Sequence, residues 1–155
     1  MSPSELLEQE ARLRLPALDL ADAWRLGLHL QRLASAAQAP AVLEIHAYGR
    51  IVFGAALPGS SADNHDWVRR KRNAVLRFGH SSMYLGEYNR GKRREFETQP
   101  HIDAHEYAAH GGGFPLRLVN GELVGALTLS GLPQWDDHRL AVEALQAWLQ
   151  EDRPT

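Results

Sequence analysis

An α/β domain (α+β in arrangement), with helices packed on a mainly antiparallel sheet, is the architecture expected, and three observations carry that expectation. Apolar residues recur at helical spacing near both ends of the chain, as in Ala23, Leu26, Leu30 and Leu33. Two alternating segments flank compact turns at Tyr48-Gly49 and Asn120-Gly121. Helical sequence separates the two hairpins, so the strands do not recur as βαβ units. At 155 residues, with 44% hydrophobic and 23% charged content, the chain suits one core better than two. Residues 1–155 are therefore read as a single domain.

The elements follow in order. Ser4 is the expected cap of a first helix, whose Leu6, Leu7, Leu13 and Leu15 form a stripe ahead of Pro16. Asp19 should cap a second helix running from Leu20 to about Ala37. Val42–Ala47 and Arg50–Ala55 form the first hairpin, and Pro58-Gly59-Ser60-Ser61 a loop. Asp63 or Asn64 should cap a third helix that Gly79 ends at Phe78. Ser81 or Ser82 starts another through Met83, Leu85 and Tyr88. Gly91 to Pro100 reads as an exposed loop or frayed helix end, and Ile102 to Ala109 as a short helical turn. Gly111-Gly112-Gly113 reads as a flexible connection. Phe114–Val119 and Leu123–Ser130 pair across Asn120-Gly121, and a last helix runs from Trp135 to Glu151.

Composition excludes several classes. The chain has no cysteine, which removes disulfides, thiolate nucleophiles and cysteine metal sites, and which fits the cytoplasm. No apolar run approaches the roughly 18 to 20 residues of a membrane span. The charged stretch MSPSELLEQEARLRL is not a secretory signal. Neither GxSxG, GxGxxG nor GxxxxGK[ST] occurs.

The net charge of -2 hides an asymmetry. Nine of the 17 basic residues, but only one of the 19 acids (Glu87), lie between Arg69 and Arg94. A cluster of this kind can meet a small anionic ligand, an acidic subunit face or nucleic acid. Nucleic acid is disfavoured, because the patch lacks interleaved aromatics and the chain is slightly acidic overall. The candidates are Arg69, Arg70, Lys71, Asn73, Arg77 and His80, with Ser81 and Ser82 at the corner beyond Gly79. On a helix Arg70 and Arg77 share a face, as do Asn73 and Arg77. A helix starting at Ser82 would offer free N–H groups to an anion there. The alternative is a solvated basic face with an arginine paired to Asp63 or Asp66.

Two histidine patterns matter. His101, His105 and His110 offer an i, i+4 pair without an HExxH frame, and no metal is assigned to them. His138 follows Asp136 and Asp137 at the start of the last helix, where a carboxylate could orient the imidazole. His138 and Asp137 are thus the candidate catalytic pair of a small hydrolase or lyase.

The segments DNHDWVRRKRNAVLRFGHSS and YAAHGGGFPLRLVNGELVGALTLSGLPQWDDH carry a resemblance. They resemble the haem-degrading-domain family (HbpS-, GlcG- and PduO C-terminal-like), in its uncharacterised protein family 0303 branch. The match rests on Asp63, Asn64, Trp67, Arg69, Arg70, Lys71, Asn73, Val75, Phe78, Ser81 and Ser82. It continues through Gly112, Gly113, Phe114 and Pro115, then Ser130, Gly131, Leu132, Pro133, Asp137 and His138. Leu129 departs from the valine more usual there. The resemblance implies a profilin-like, three-layer α-β-α domain with a sheet of about five strands. It also implies homo-oligomers, with dimers assembled into a larger ring. It adds Asn64, Trp67, Gly112, Gly113, Phe114, Ser130 and Gly131 to the ligand-binding or interface candidates. Haem is the one cofactor it raises. A haem site needs an axial ligand and an apolar slot, with His46, His80 and His138 as ligand candidates. The expectation is an oligomeric small-ligand-binding or interaction module, leaning away from an enzyme, with haem binding or degradation as the alternative.

Overall fold

The computed structural model describes residues 1–151. Its elements are α1 (Pro3–Arg12), α2 (Leu20–Ala36), β1 (Val42–Ala47), β2 (Arg50–Ala56), α3 (Ala62–Phe78), α4 (Ser82–Gly91), a 3-10 turn (Phe96–Thr98), β3 (Gly113–Arg117), β4 (Leu123–Ser130) and α5 (Gln134–Gln150). The expected α/β fold is present, as one antiparallel sheet in the order β2-β1-β4-β3. It has four strands among the described residues, where about five were expected. The nearest thing to a fifth is a parallel bridge between Leu15 and Leu118. Leu15 donates to the Arg117 carbonyl and accepts from the Val119 amide, and the pairing goes no further.

Strand alternation sorts the sheet into two faces. Leu43, Ile45, Phe53, Leu127, Leu129, Phe114 and Leu116 join Leu26, Leu30, Leu140, Leu145 and Trp148 in the main core, beneath α2 and α5. Glu44, Thr128 and Ser130 alternate to the other face, which α3 covers. A smaller apolar cluster of Ala74, Leu85, Phe96, Ile102 and Ala109 fastens the 96–109 segment to α3 and α4. Three layers result.

Local chemistry sets most boundaries as expected. Asp19 caps α2 in a reciprocal capping box with Asp22. Tyr48 and Gly49 both take positive φ, as a two-residue hairpin turn requires. Gly79 ends α3 in the left-handed conformation, and Ser81 caps α4 by accepting from the Tyr84 amide.

Other expectations are corrected. Ser2, not Ser4, caps α1, and Ser61 rather than Asp63 or Asn64 precedes α3. Asn64 stands three residues in, where its Oδ1 accepts from the Ser61 amide. Residues 102–109 form turns, not a helix, because α3 side chains take up their carbonyls. The 91–100 stretch is largely exposed, as expected, but buried Phe96 anchors it. The glycine run is no hinge. A Cβ on Gly111 would lie 2.3 Å from the Gln134 carbonyl oxygen, and one on Gly112 2.3 Å from that of Leu129. Close packing, not flexibility, is what these glycines supply.

Candidate functional site

α3 crosses the sheet with Lys71 turned inward, so that its side chain is only 3% exposed. Burying an ammonium is costly unless it is paired and hydrogen-bonded. Lys71 Nζ donates to the Leu129 carbonyl at 3.1 Å and to Asp137 Oδ2 at 3.3 Å. Asp137, in the first turn of α5, is 1% exposed at its side chain. Its carboxylate also accepts from the Gly131 amide at 3.2 Å and the Leu132 amide at 3.1 Å. Burial pushes Lys71 below its ordinary range and Asp137 above its own, while each partner's charge opposes the shift.

The pair forms the floor of an open cleft of about 260 Å³. Around it stand Asn64, Trp67, His110, Ser130, Gly131, Leu132 and Gln134. The polar groups of this wall are mostly donors. Asn64 spends its Oδ1 on the Ser61 amide at 2.8 Å, leaving its NH₂. Gln134 Oε1 accepts from the Gly111 amide at 3.1 Å, again leaving its NH₂. Ser130 Oγ and Trp67 Nε1 have no hydrogen-bond partner among the described residues. Asp137 is the one acid in the lining, and both of its oxygens are already engaged. Arg70 lies 4.1 Å above the Trp67 ring, whose other neighbour is the His110 ring at 5.2 Å. Such a wall suits a small ligand rich in acceptors.

The rest of the basic helix faces elsewhere. Arg69 donates to the His105 carbonyl at 2.8 Å and to Glu106 at 2.9 Å, and pairs with Asp66 at 2.9 Å. Asn73 donates to the Glu106 carbonyl at 2.9 Å, and Arg77 to that of His101 at 3.3 Å. Spaced four apart, these three clamp the 101–106 loop onto α3. Arg72 pairs with Glu44 on β1 at 2.6 Å. Of the basic cluster only Lys71 lines the cleft, while Arg70 stacks on Trp67 and pairs with Asp66 at 2.9 Å. His101 and His105 lie in turns, so the expected i, i+4 pair does not form on a helix. Among the described residues no three His, Asp or Glu side chains gather around a point that could hold a metal.

Asp137 and His138 do not form a hydrogen-bonded pair. Consecutive helical residues diverge by about 100°, and His138 points away from the cleft toward α1. Its Nε2 lies 2.6 Å from Gln9 Oε1, while its Nδ1 is buried without a partner. Burial lowers its pKa to about 4, and the Phe114 and Trp135 rings flank it at 5.9 and 6.2 Å. His80 sits at another corner, with Nδ1 3.0 Å from Glu10, whose carboxylate also accepts from the Ser81 amide at 3.1 Å. Ser82 Oγ accepts from the Gly113 amide at 2.9 Å, joining α4 to β3. His80, Ser81, Ser82, Gly113, Phe114 and His138 therefore stand outside the cleft lining. Gln134 and His110 belong to it and were not named as ligand candidates. A side-chain amide beside a helix start was the available signal for Gln134.

A haem needs an apolar slot beside a free ligand. The cleft walls are polar, His80 is engaged by Glu10, and His138 is sealed against Gln9, Phe114 and Trp135. His46 lies on β1 with its Nδ1 buried. Neither His80 nor His138 stands free beside an apolar slot.

A family model described as haem degrading protein HbpS-like matches residues 18–146. A UPF0303 protein of Psychromonas ingrahamii is 45% identical over 144 residues, covering 93% of this chain and 91% of that protein. A UPF0303 protein of Streptomyces coelicolor is 47% identical over 148 residues, covering 96% and 94%. Among solved structures, Ybr137w protein matches with a TM-score of 0.89 and 31% identity, covering 99% of this chain and 91% of that one. A PduOC:heme complex matches at 0.72 and 21% identity, covering 84% and 94%. At that identity the likeness is one of fold.

Proposed function

The chain belongs to the HbpS-like family of haem degrading proteins, and from that premise we propose that it is a binding module for a small anionic ligand. The observation that carries the reading is the donor-rich cleft above Lys71 and Asp137. Its two amides have their oxygens committed, so both present N–H groups, and both oxygens of its one acid are engaged. A carboxylate or phosphate supplies the acceptors that such a wall lacks.

The same proposal includes assembly into a homo-oligomer in the cytoplasm. Leu20, Trp24 and Leu28 recur four apart along α2 with 49%, 55% and 38% exposure, and Ile51 on β2 is 59% exposed. Exposed apolar groups arrayed in this way favour association. No helix of the described residues is long and apolar enough to cross a membrane.

The test is calorimetric titration with lactate, succinate and inorganic phosphate, with light scattering of the same sample to read its mass. At least one of the anions should bind saturably. Asn64→Asp keeps the oxygen that accepts from Ser61 but replaces the free NH₂ with negative charge. It should fold and lose about tenfold in affinity, equivalent to about 1.4 kcal/mol. Full affinity in Asn64→Asp would place the ligand elsewhere.

Haem binding is the second reading, favoured by the likeness to a structure described as a PduOC:heme complex. It requires a Soret band on hemin titration, and the polar cleft argues against one.

A further inference from the structure

We propose that Lys71 is a covalent receptor for a small oxo acid, capturing its carbonyl carbon as a reversible imine on the cleft floor. The idea rests on the anion-binding reading of the same cleft and names the ligand class more closely.

Three observations carry it. Lys71 lines the cleft although its side chain is nearly sealed, so a ligand seated there meets the amine. Two of its three N–H groups are committed, one to Leu129 and one to Asp137. Gly112 keeps the space beside the nitrogen open, since a Cβ there would lie 2.9 Å from Nζ. The donors of Asn64 and Gln134 stand in the same wall, ready for the carboxylate of the oxo acid.

The chemistry closes within the pair. Lys71 passes a proton to Asp137, leaving a free amine and a carboxylic acid. The nitrogen lone pair forms a C–N bond to the carbonyl carbon as the C=O π pair moves to oxygen. Asp137 relays the second nitrogen proton to that oxygen, giving a carbinolamine. The C–O bond then breaks and the oxygen leaves as water with the proton held by Asp137. The product is an iminium cation beside an Asp137 carboxylate, with the same charges as at the start. No uncompensated charge is created in a buried place. Burial also favours the first transfer, because it lowers Lys71 and raises Asp137.

The chain has only two lysines, which makes the test clean. Lys92 is exposed and serves as an internal control. The protein is incubated with pyruvate and cyanoborohydride, and the reduced adduct is located by peptide mass mapping. Lactate, which has no keto group, is titrated separately to read non-covalent binding. Lys71 should be modified about tenfold faster than Lys92. The Lys71→Arg variant, which has no primary amine on the cleft floor, should lose that adduct while Lys92 is modified at the wild-type rate. Equal or slower modification of Lys71 than of Lys92, with lactate still bound, overturns the imine and leaves the anion site standing. Loss of both signals overturns the two together. If Lys71→Arg does not fold, the ratio within the wild-type chain decides alone.

Discussion

Lys71 and Arg69 stand two residues apart on α3, and each pairs with carboxylates, yet the two arrangements differ in kind. Arg69 meets Asp66 and Glu106 at the surface, with its side chain 37% exposed and theirs 45% and 52%. Lys71 meets Asp137 where neither is more than 3% exposed. Water screens the first set, so its charges contribute little, and its use is to position the 101–106 loop. The second pair is dry, so either partner alone would be a buried, uncompensated charge. A run of basic residues in sequence thus divides into a clamp and a cleft floor. Solvent access makes the division, not residue type.

The largest effect should come from cutting the dry pair. Lys71→Met leaves Asp137 buried without its cation and should cost about 3–5 kcal/mol in urea unfolding. Adding Asp137→Leu should restore much of that loss. A single-variant cost as small as that of a surface pair would break the contrast.

His138 sharpens it from the other side, being buried beside Asp137 but with no counter-charge. Its folded pKa of about 4 lies below its ordinary 6.5. As pH falls, the unfolded chain takes the proton first. This contribution is therefore fully present above pH 6.5 and is lost as pH falls toward 4. The wild type should lose about 3 kcal/mol across that window relative to His138→Phe. Parallel pH dependences for the two proteins would show that His138 is not held neutral.

The smallest effect belongs to the clamp. Arg69→Ala should leave the urea midpoint within error of wild type, while amide exchange of residues 103–107 accelerates. A large drop in midpoint would erase the distinction between the two pairs.

The parts of the fold set by local chemistry were legible in the sequence. The capped, periodic α2, the Tyr48-Gly49 hairpin and the Gly79 stop depend on neighbours within a few residues. The 102–109 turns were misread because Arg69, Asn73 and Arg77 hold them from more than twenty residues away. The glycine run looked like a hinge because sequence does not say what a missing Cβ leaves room for. The Asp137-His138 pairing failed for a simpler reason. Adjacency along a helix sends side chains in different directions. Lys71 came from the basic cluster and Asn64 and Ser130 from the family resemblance, while closure of the site by Gln134 and His110 required the tertiary fold.

Gly112 carries one more consequence, which concerns descent more than binding. With φ at 134° and backbone and lysine on either side, it has room for a hydrogen atom and little else. The codon is therefore held by what stands opposite it rather than by any contact of its own. A lineage that gave up the Lys71 amine or moved β4 would free this position to drift. A lineage that kept both would discard every variant there. Reading that position across descendants would report on a lysine elsewhere in the chain.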